Sequence, residues 1–553
     1  MKKKILLLFI VLLYTISGNA KISEIEKLAT TCKVWGFLKY YHPVIASGKT
    51  NWDEQLFNVL PEIVNAKSKE EFSAVLESWI SSQGVVPATK ILELHEKASY
   101  FNKNLNLDWI TKHKFFSKEL SEKLQFIADN RFQGQNYYVL YNEEAEVHLK
   151  FTNENEYPDF QWQNLNLRIL ALFRYWNYVE YFFPYKYQMD QNWDNALLEI
   201  LPHISTPDSE EDFTMAMREL SVKLNDSHAA TFNMKMMNYL GGEKYPAFGT
   251  KIIDKKIIVT QLVNDSVAKI DDIKVGDLIT KINGKTIPQI TKEIQKYLEG
   301  SNKPAALSNL GWVALNGNTD ELEIEYIRDN KSSVKKIHRY KAGSFERKIN
   351  SKPKWKLLEN NIGYVNMGKL EVDDVKIMME EFKNTKAIIF DVRNRPKGTH
   401  RYINDYLNPE PRNISKFIFQ DLSFPGRFIW KNEMDKCGKT NSDYYKGEVI
   451  VLVNETTLSH AEYTVMSFQT APKTTIIGSQ TSGADGANYS FTIIKDFNSS
   501  FTSQGVFYPN KKETQRIGIP IDVEVKPTIL GIQQGKDEVL DKAILFVNNK
   551  YGF

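Results

Sequence analysis

Residues 448–462 read Glu-Val-Ile-Val-Leu-Val-Asn-Glu-Thr-Thr-Leu-Ser-His-Ala-Glu. The apolar and largely β-branched run at 448–453 follows a glycine, which predicts a short buried strand. A helix is expected to begin near residue 461, so Ser459 falls at a strand-to-helix junction. A hydroxyl there lies close to backbone N–H groups and to the positive end of a helix dipole, which suits the nucleophile of an acyl-transfer enzyme. The same position also suits a serine that only caps the helix.

Size and charge limit the function classes. The chain has 553 residues, enough for about three or four domains. Hydrophobic residues make up 42% and charged residues 25%, as in soluble globular proteins. There are 71 basic and 68 acidic residues, so no strong net field attracts nucleic acid or an anionic membrane. We therefore expect no nucleic-acid partner.

Residues 1–20 have the pattern of a secretory signal peptide, with three lysines, an apolar run and small residues ending at Ala20. No other run of about 18 apolar residues occurs, so the mature chain is expected in the periplasm or outside the cell, without a membrane span. Cys32 and Cys437 are expected to be two separate thiols or one disulfide. No cysteine and histidine cluster has zinc-ligand spacing, and we predict no metal and no cofactor.

The N-terminal half contains an internal repeat, because residues 31–76 match residues 172–217 at a constant offset of 141. Each copy predicts a helix ending near a proline, a second helix opening at a Trp-Asp pair and a third around a phenylalanine. The copies define two predicted helical segments, at 21–94 and 161–240. The matching pairs are Trp35 and Trp176, Tyr40 and Tyr181, Pro43 and Pro184, Trp52 and Trp193, Asp53 and Asp194, Ser68 and Ser209, and Phe72 and Phe213.

The two copies end differently. The second closes with Leu-Asn-Asp-Ser-His at 224–228, whereas the first has Gln-Gly-Val-Val-Pro at the equivalent positions. Ser227 and His228 therefore belong to the second copy alone. An imidazole in a loop after a helix can face a cleft, or it can lie on the surface at the helix end. Residues 95–160, between the copies, predict a small insert that contains strands.

Residues 241–345 predict a small β-domain, because short alternating strands are separated by Asn-Gly and Val-Gly-Asp turns. The order of these segments resembles a PDZ domain. PDZ domains bind a peptide C-terminus by strand addition and hold its carboxylate on a loop of backbone N–H groups. The resemblance implies that Pro246, Ala247, Phe248 and Gly249 form this loop. The alternative is a spacer domain that binds nothing.

Residues 346–553 predict an α/β core of βαβ type. The whole chain is thus predicted to be a multidomain α+β protein, with helical segments first, a β-domain in the middle and an α/β core last. The apolar strands of the core are expected near 361–367, 387–391, 448–453, 475–478 and 516–525.

From about residue 160 to residue 535 the chain resembles the S41 family of serine peptidases, which includes C-terminal processing proteases and the tricorn core. The parts occur in family order: a Ser-His pair, a PDZ-like domain, an Ile-Gly-Tyr strand, an Asp-x-Arg-Asn turn, the Ser459 segment and a Gly-x-x-Thr-x-Gly segment. The resemblance implies a ClpP/crotonase-like core and a serine peptidase activity.

The family has two catalytic solutions. Processing proteases use a lysine directly after the Gly-x-x-Thr-x-Gly segment, but this chain has Ala484 there. The tricorn-like branch uses a Ser-His pair from the helical segment, and the motif at 224–228 resembles it. The resemblance therefore implies Ser459 as the nucleophile, His228 as the general base and Ser227 as a residue that helps to position the site.

Two site positions depart from the family. The acidic fourth residue is predicted to be Glu513, although one alignment places it at Gln515. The resemblance implies an oxyanion hole formed by the Lys397–Gly398 turn and the N–H of His460. Lys397 replaces a family glycine, which predicts strain if the turn needs a positive φ at that residue.

The predicted function is that of an exported serine endopeptidase that hydrolyses polypeptides, with the PDZ-like domain guiding chain ends. The alternative is a catalytically inactive protein on the same fold that binds a peptide or another ligand. Lys397 and the uncertain fourth residue favour that alternative.

Overall fold

The computed structural model describes residues 22–90, 92, 95–142, 145–347 and 353–552. The predicted signal peptide lies outside these residues. Within the described part of the chain, no helix is both long enough and apolar enough to cross a membrane.

The N-terminal half is mostly helical. In chain order its elements are α1 (Glu24–Tyr41), α2 (Pro43–Ala46), α3 (Trp52–Asn65), α4 (Lys69–Ser82), β1 (Tyr100–Phe101), α5 (Trp109–Lys112), α6 (Lys118–Asp129), β2 (Val139–Asn142), β3 (Ala145–Phe151), α7 (Leu165–Phe182), α8 (Trp193–Ser205), α9 (Glu210–Val222), β4 (Ala230–Phe232) and α10 (Met234–Leu240).

In both segments the first helix ends just before the predicted proline, the second begins at the predicted Trp-Asp pair and the third contains the phenylalanine, so six helices match the prediction. Each is started by a side chain that accepts a hydrogen bond from a backbone N–H of the first turn, which stabilises a helix N-terminus. The capping residues fall at equivalent positions in the two segments. They are Ser23 and Asn164 for α1 and α7, Asn51 and Asn192 for α3 and α8, and Ser68 and Ser209 for α4 and α9.

Equivalent residues also make reciprocal contacts between the two segments. Lys33 of α1 pairs with Asp194 of α8 at 2.7 Å, and Arg174 of α7 pairs with Asp53 of α3 at 2.6 Å. Each partner in one pair occupies the position of its counterpart in the other pair, 141 residues away. Residue i contacting j while j contacts i is the pattern of a two-fold interface.

Each segment also contains the same pair of tryptophan hydrogen bonds. In both, the indole N–H of each tryptophan donates to the carbonyl of the other, at 3.0–3.4 Å. The bonds join the first helix of the segment to the start of the second. The residues are Trp35 and Trp52 in the first segment, and Trp176 and Trp193 in the second.

The residues between the segments are not a separate domain. They form α5, α6 and the antiparallel hairpin β2–β3. Leu120 and Leu124 of α6 belong to the same hydrophobic core as the helices around them. The predicted strand-containing insert therefore contains both helices and strands, and it packs into the helical half.

The middle of the chain forms a β-domain. Its elements are β5 (Lys244–Tyr245), β6 (Phe248–Ile253), β7 (Lys256–Leu262), α11 (Asp265–Ile270), β8 (Leu278–Ile282), β9 (Lys285–Thr286), α12 (Ile287–Ile294), α13 (Lys303–Ser308), α14 (Leu310–Leu315), β10 (Glu321–Arg328), β11 (Lys331–His338) and β12 (Tyr340–Lys341). The main sheet has the order β11-β10-β8-β7-β6, so β6 lies at an edge.

The C-terminal part contains the α/β core. Its elements are β13 (Trp355–Leu358), β14 (Ile362–Asn366), α15 (Asp374–Phe382), β15 (Ala387–Asp391), α16 (His400–Leu407), β16 (Arg412–Gln420), β17 (Phe428–Trp430), β18 (Asp435–Cys437), β19 (Glu448–Val453), α17 (His460–Phe468), β20 (Thr474–Gly478), β21 (Asn488–Ile494), β22 (Phe497–Thr502), β23 (Gly505–Phe507), β24 (Val523–Glu524), α18 (Ile529–Gln533) and α19 (Glu538–Tyr551).

The central sheet has the order β13-β14-β15-β19-β20-β24, and all neighbours except β13 and β14 are parallel. Four of the predicted core strands appear as expected. The fifth is wrong over most of its length, because only Val523–Glu524 is extended. Arg516 and Gly518 both have a positive φ, which breaks a strand at 516–520.

The helical half and the C-terminal part are joined by shared sheets. β1 pairs with β17, and β4 pairs with β22. Phe428 and Phe501 lie in the same hydrophobic core as the helices of the N-terminal half. The residues after α9 are therefore held against the C-terminal part by backbone hydrogen bonds.

Candidate active site

Ser459 lies between β19 and α17 with backbone angles φ 59° and ψ −122°. A residue with a side chain holds such angles only where the surrounding structure enforces them, and this strain is common at functional sites. Its N–H donates to the carbonyl of Ala484 at 2.9 Å. The hydroxyl makes no capping bond to α17, and the residue is half-buried. Ser459 therefore presents a reachable hydroxyl and does not cap the helix with its side chain.

The turn after β15 lies next to the loop that carries Ser459. β15 and β19 are parallel neighbours, with Asp391 opposite Leu452. Loops that leave the carboxyl ends of adjacent parallel strands meet at one edge of the sheet. The hydroxyl of Thr457 ties the two loops together by donating to the carbonyl of Val392 at 3.0 Å.

Two backbone amides of these two loops lack partners within the described part of the chain. Among the described residues, neither the N–H of Gly398 nor that of His460 has a hydrogen-bond partner. His460 is the first residue of α17, where helix amides have no intrahelical acceptor. Free amides beside a serine hydroxyl can stabilise the negative oxygen of a tetrahedral intermediate.

The strain expected at Lys397 is absent. The positive φ of this turn falls on Gly398, at 75°, and Lys397 is not among the residues with a positive φ. The ammonium of Lys397 instead pairs with Glu371. The lysine is therefore compatible with the turn, because its side chain pairs with Glu371 and its backbone adopts an ordinary conformation.

His228 lies in the loop between α9 and β4, and its ring orientation is fixed by Thr502. His228 Nδ1 is 2.9 Å from Thr502 Oγ1, and that hydroxyl donates to Asp226 Oδ1 at 2.8 Å. Because a hydroxyl carries a single proton, it accepts from His228. Nδ1 therefore carries the ring proton and Nε2 keeps a free lone pair, as a general base requires.

Asp226 is a buried carboxylate, 1% exposed, that anchors this arrangement. It also accepts hydrogen bonds from the N–H of Thr502 at 2.7 Å, the N–H of His228 at 3.2 Å and Gln515 Nε2 at 3.1 Å. The side-chain amide of Gln515 thus lies in the site, where it donates a hydrogen bond to the carboxylate of Asp226.

Burial lowers the pKa of His228, since the charged imidazole loses hydration. Asp226 opposes this by raising the pKa, and the positive charge of Arg395 lowers it further. The imidazole is therefore neutral at pH 7, the state that can accept a proton.

One residue holds the Ser459 loop and the His228 loop together. The carbonyl of Ser482 accepts a hydrogen bond from the hydroxyl of Ser227 at 3.0 Å. The N–H of Ser482 donates to the carbonyl of Thr457, also at 3.0 Å. Ser459 and His228 share no hydrogen bond in this structure. Catalytic contacts of this kind commonly form only when substrate is bound.

Ser227 also connects the site to the β-domain. Its N–H donates to the hydroxyl of Ser301, and the N–H of Ser301 donates to the hydroxyl of Ser227, both at 2.8 Å. Ser227 therefore links the loop of His228 to Ser301 and, through its bond to the carbonyl of Ser482, to the segment at 481–484.

The structure does not bring Glu513 to His228. Its carboxylate accepts from Lys103 at 2.6 Å, Tyr187 at 2.9 Å and Gln188 at 3.1 Å. Gln515 points into the buried network, whereas Glu513 reaches toward the half-buried surface. The acidic group hydrogen-bonded through Thr502 to the histidine is Asp226.

A second buried carboxylate, Glu462, lies beneath Ser459 in the first turn of α17. It accepts from Thr481 Oγ1 at 2.5 Å and from the N–H groups of Gly483 and Ala484, each at 2.8 Å. Burial raises the pKa of Glu462 to about 7, although these hydrogen bonds and that of the Ser459 N–H lower it. Glu462 therefore fixes the 481–484 segment against the nucleophile turn.

The proposed peptide loop of the β-domain is only partly accessible. Pro246, Ala247 and Phe248 are buried and Gly249 is half-buried. The loop leads into the edge strand β6, whose Lys251 pairs with Glu455 at 2.6 Å. Because Glu455 precedes Ser459 by four residues, this ion pair places the edge strand β6 next to the loop of Ser459.

Three residues of the site received no role from the sequence: Asp226, Thr502 and Glu462. Asp226 and Glu462 stood within the motifs that were singled out, at 224–228 and 448–462. The Ser-x-x-Glu spacing of Ser459 and Glu462 is also a known signal of a helix start. Thr502 has no local motif. Within the described residues, no group of three or more His, Cys, Asp or Glu side chains could hold a metal ion.

Comparisons with known proteins agree with this architecture. Residues 361–525 match the model of peptidase family S41, and residues 233–308 match that of the PDZ domain. The chain is 22% identical over 360 residues to the carboxy-terminal-processing protease of Bartonella bacilliformis, covering 62% of this chain and 76% of that protein.

Two solved structures share the fold. A mutant of CPAF matches with a TM-score of 0.56 at 13% identity, covering 70% of this chain and 98% of that one. Mature CPAF in complex with lactacystin matches with a TM-score of 0.53 at 12% identity, covering 70% and 99%. The chain is therefore similar to peptidase family S41 at residues 361–525 and to the PDZ domain at residues 233–308, and it shares the fold of these structures.

Proposed function

We propose that this chain is an exported serine endopeptidase that hydrolyses peptide bonds of polypeptides. The observation that carries the proposal is the strained Ser459 with its unbonded hydroxyl. It is followed by the free amide of His460, and its loop is tied to the turn that holds the free amide of Gly398. Export rests on the sequence of residues 1–20. The relationship to a carboxy-terminal-processing protease supports a polypeptide substrate.

In the proposed mechanism Ser459 Oγ attacks the carbonyl carbon of the scissile bond while His228 Nε2 takes its proton. The N–H groups of Gly398 and His460 stabilise the oxyanion. Asp226, acting through Thr502, holds the imidazole and stabilises its charged form. His228 then returns the proton to the leaving amine, and water hydrolyses the acyl-enzyme by the same steps.

Within this proposal Ser227 positions the loop of His228, and Asp226 takes the role that the sequence suggested for Glu513. The role of Ser227 is supported by its reciprocal hydrogen bonds with Ser301. Asp226 is supported by its burial and by its bond to Thr502. Glu513 is occupied by an ion pair with Lys103.

We also propose that the PDZ domain guides the substrate. A peptide added to the edge of β6 would place its carboxylate near Pro246–Gly249 and its chain near the Lys251–Glu455 ion pair. The ion pair supports a path from the PDZ domain to the cleft, because it joins β6 to the loop of the nucleophile.

For the fold, we propose that the two helical segments are copies of one unit and that the core is ClpP/crotonase-like. The equivalent caps and reciprocal ion pairs support the duplication. The parallel order β14-β15-β19-β20 supports the assignment of the core.

The test is labelling with a fluorophosphonate probe. The mature protein, Ser459→Ala and His228→Ala are incubated with the probe, and circular dichroism verifies that each is folded. We expect labelling of the wild type alone. Equal absence of labelling in three folded proteins would contradict the peptidase proposal and favour an inactive binding protein. Labelling of Ser459→Ala would place the reactive group elsewhere.

A further inference from the structure

A cavity of about 720 Å³ lies at the far end of α17, the helix that follows Ser459. Its lining comes mainly from the end of α17, the start of β16, the strand β18 and the loop after β23. None of the residues assigned to the candidate active site belongs to this lining. A cavity of this volume suits a small organic molecule and is too small for a folded partner.

Part of the lining is apolar. Ile414 and Met466 are each 1% exposed, so they form a buried base for the cavity. Three prolines complete the apolar part: Pro411, Pro509 and Pro520. Apolar surface of this kind favours a ligand with an organic body over a bare inorganic ion.

Three cations from three elements line the cavity, whereas no acidic side chain among the described residues does so. They are Arg412 of β16, Lys436 of β18 and Lys512 of the loop after β23. Arg412 pairs with Glu410 at 3.0 Å. Neither lysine ammonium forms an ion pair with any residue that the structure describes. Two positive charges without a counter-ion therefore remain at the cavity.

The acidic residues next in sequence to these two lysines are paired with other cations. Asp435 pairs with Arg401 at 2.6 Å. Glu513 pairs with Lys103, also at 2.6 Å. The neighbouring carboxylates are therefore engaged away from the lysines of the cavity.

The neutral polar groups of the lining add hydrogen-bond donors. Gln469 Oε1 accepts from the hydroxyl of Tyr508 at 2.8 Å. Asn510 Oδ1 accepts from the N–H of Lys512 at 3.1 Å. Because each amide oxygen already has a donor within the protein, the amide NH₂ groups remain for a ligand. Cations together with N–H donors have the chemistry that recognises an acid group.

We propose that this cavity binds a small organic anion that carries at least two negative charges. Lys436 and Lys512 would bind its acid groups, and its apolar body would lie on Ile414 and Met466. Phosphate and carboxylate share the chemistry that these side chains recognise, and the test separates the two. The site goes beyond the proposed peptidase function and does not depend on it, because binding needs neither the nucleophile nor the histidine.

The test is isothermal titration calorimetry of the mature protein with four probes: phenyl phosphate, phthalate, phenol and inorganic phosphate. Phenyl phosphate and phthalate each combine an apolar ring with two charges. Phenol lacks the charges, and inorganic phosphate lacks the ring. We expect at least one of the two ring-bearing anions to bind about tenfold more tightly than phenol and inorganic phosphate. The tighter of the two identifies the acid group.

Two double variants show whether the cavity is responsible. Lys436→Gln with Lys512→Gln removes both unpaired charges and should weaken binding of the preferred probe about tenfold or more. The matched control is Lys439→Gln with Lys511→Gln, since both are exposed lysines outside the lining. The control removes the same net charge and should leave the affinity unchanged. Circular dichroism verifies that both variants are folded.

An equal loss of affinity in the two double variants would show that only net charge attracts the probe, and it would overturn the site. Equal affinity for all four probes, or no binding of either ring-bearing anion, would also overturn it. Inorganic phosphate that binds as tightly as both ring-bearing anions would contradict the role of the apolar base. The fluorophosphonate experiment reports on Ser459 alone, so either proposal can fail without the other.

Discussion

At the scale of single residues, the hydroxyl of Thr502 determines how the imidazole of His228 is oriented. Thr502 accepts from His228 and donates to Asp226, so one side chain both selects the histidine tautomer and transmits the influence of a buried carboxylate. In the familiar triad the carboxylate contacts the imidazole directly. Here a threonine intervenes, and the carboxylate is held by four separate donors.

Thr502→Val tests this role. Valine has nearly the same shape but cannot accept from His228, so Nδ1 loses its partner and the ring is no longer held in one orientation. We expect the rate of fluorophosphonate labelling to fall about a hundredfold. Thr502→Ser retains the hydroxyl and should recover most of the rate. A valine variant as fast as the serine variant would show that the relay is not needed.

Glu462 predicts a pH dependence of stability. Its pKa in the folded protein is raised to about 7 from an ordinary value of 4.5, so the folded state holds a proton that the unfolded state releases. The protonated form therefore stabilises the fold fully below pH 4.5, and this contribution is lost as pH rises to about 7. Relative to Glu462→Gln, the free energy of unfolding should fall on the order of 3 kcal/mol across that window.

Urea unfolding of the wild type and Glu462→Gln at a series of pH values measures the difference. The change should be confined to the interval between pH 4.5 and pH 7, and it should have the same sign throughout. If the difference in unfolding free energy between the two proteins did not change with pH, Glu462 would have the same protonation in the folded and unfolded states.

The sequence indicated some of these residues and not others for a physical reason. Ser459 and His228 lie in short motifs whose local pattern predicts a strand-to-helix junction and a loop after a helix. Thr502 lies within an ordinary strand, and its importance depends on a partner 274 positions away. Lys397 misled the prediction, because the sequence could not show which residue of the turn takes the positive φ.

At the scale of elements, the two helical segments make matched but unequal ion pairs. Arg174 and Asp53 are almost fully buried, with side chains 0% and 6% exposed. Lys33 and Asp194 occupy the equivalent positions but are 12% and 46% exposed. The two ion pairs thus occupy equivalent positions, but one is buried and the other is partly exposed to solvent.

Replacing the cations by methionine measures this difference. Arg174→Met leaves Asp53 buried without its closest positive partner and should destabilise the protein by about 3–5 kcal/mol. Lys33→Met breaks a solvent-screened pair and should cost less than about 1 kcal/mol. Thermal unfolding followed by tryptophan fluorescence compares them. Equal shifts of the midpoint would show that the burial of the pair has no consequence for stability.

Helices were predicted better than sheets, and the reason lies in their contacts. Helix ends depend on caps such as Asn51 and Ser68, which the sequence displays next to the helix. Strand pairing depends on distant segments. The pairing of β4 with β22 therefore left no local signal, and a strand expected at 516–525 is mostly an irregular turn.

At the scale of the whole molecule, the two cysteines lie in separate hydrophobic cores. Cys32 is 0% exposed and belongs to the core of the helical half, whereas Cys437 is 5% exposed and belongs to the core of the α/β part. Burial raises the pKa of both thiols, which makes the reactive thiolate scarce.

We therefore expect two free thiols and no disulfide. Without reductant, maleimide should modify neither cysteine in the folded protein and both in urea, as mass spectrometry can measure. Cys437→Ser should reduce the number in urea to one. Modification in urea that appears only after a reductant is added would indicate a disulfide.

The shared sheets have a consequence for the time course of synthesis. His228 emerges from the ribosome long before Thr502, which follows it by 274 positions. Until that later strand exists, β4 has no partner and the imidazole has no acceptor for its Nδ1 proton. Contacts between distant parts of a chain also form late in folding. An unfinished chain thus contains the imidazole but cannot orient it, so the order of translation itself postpones the arrangement on which proteolysis would depend.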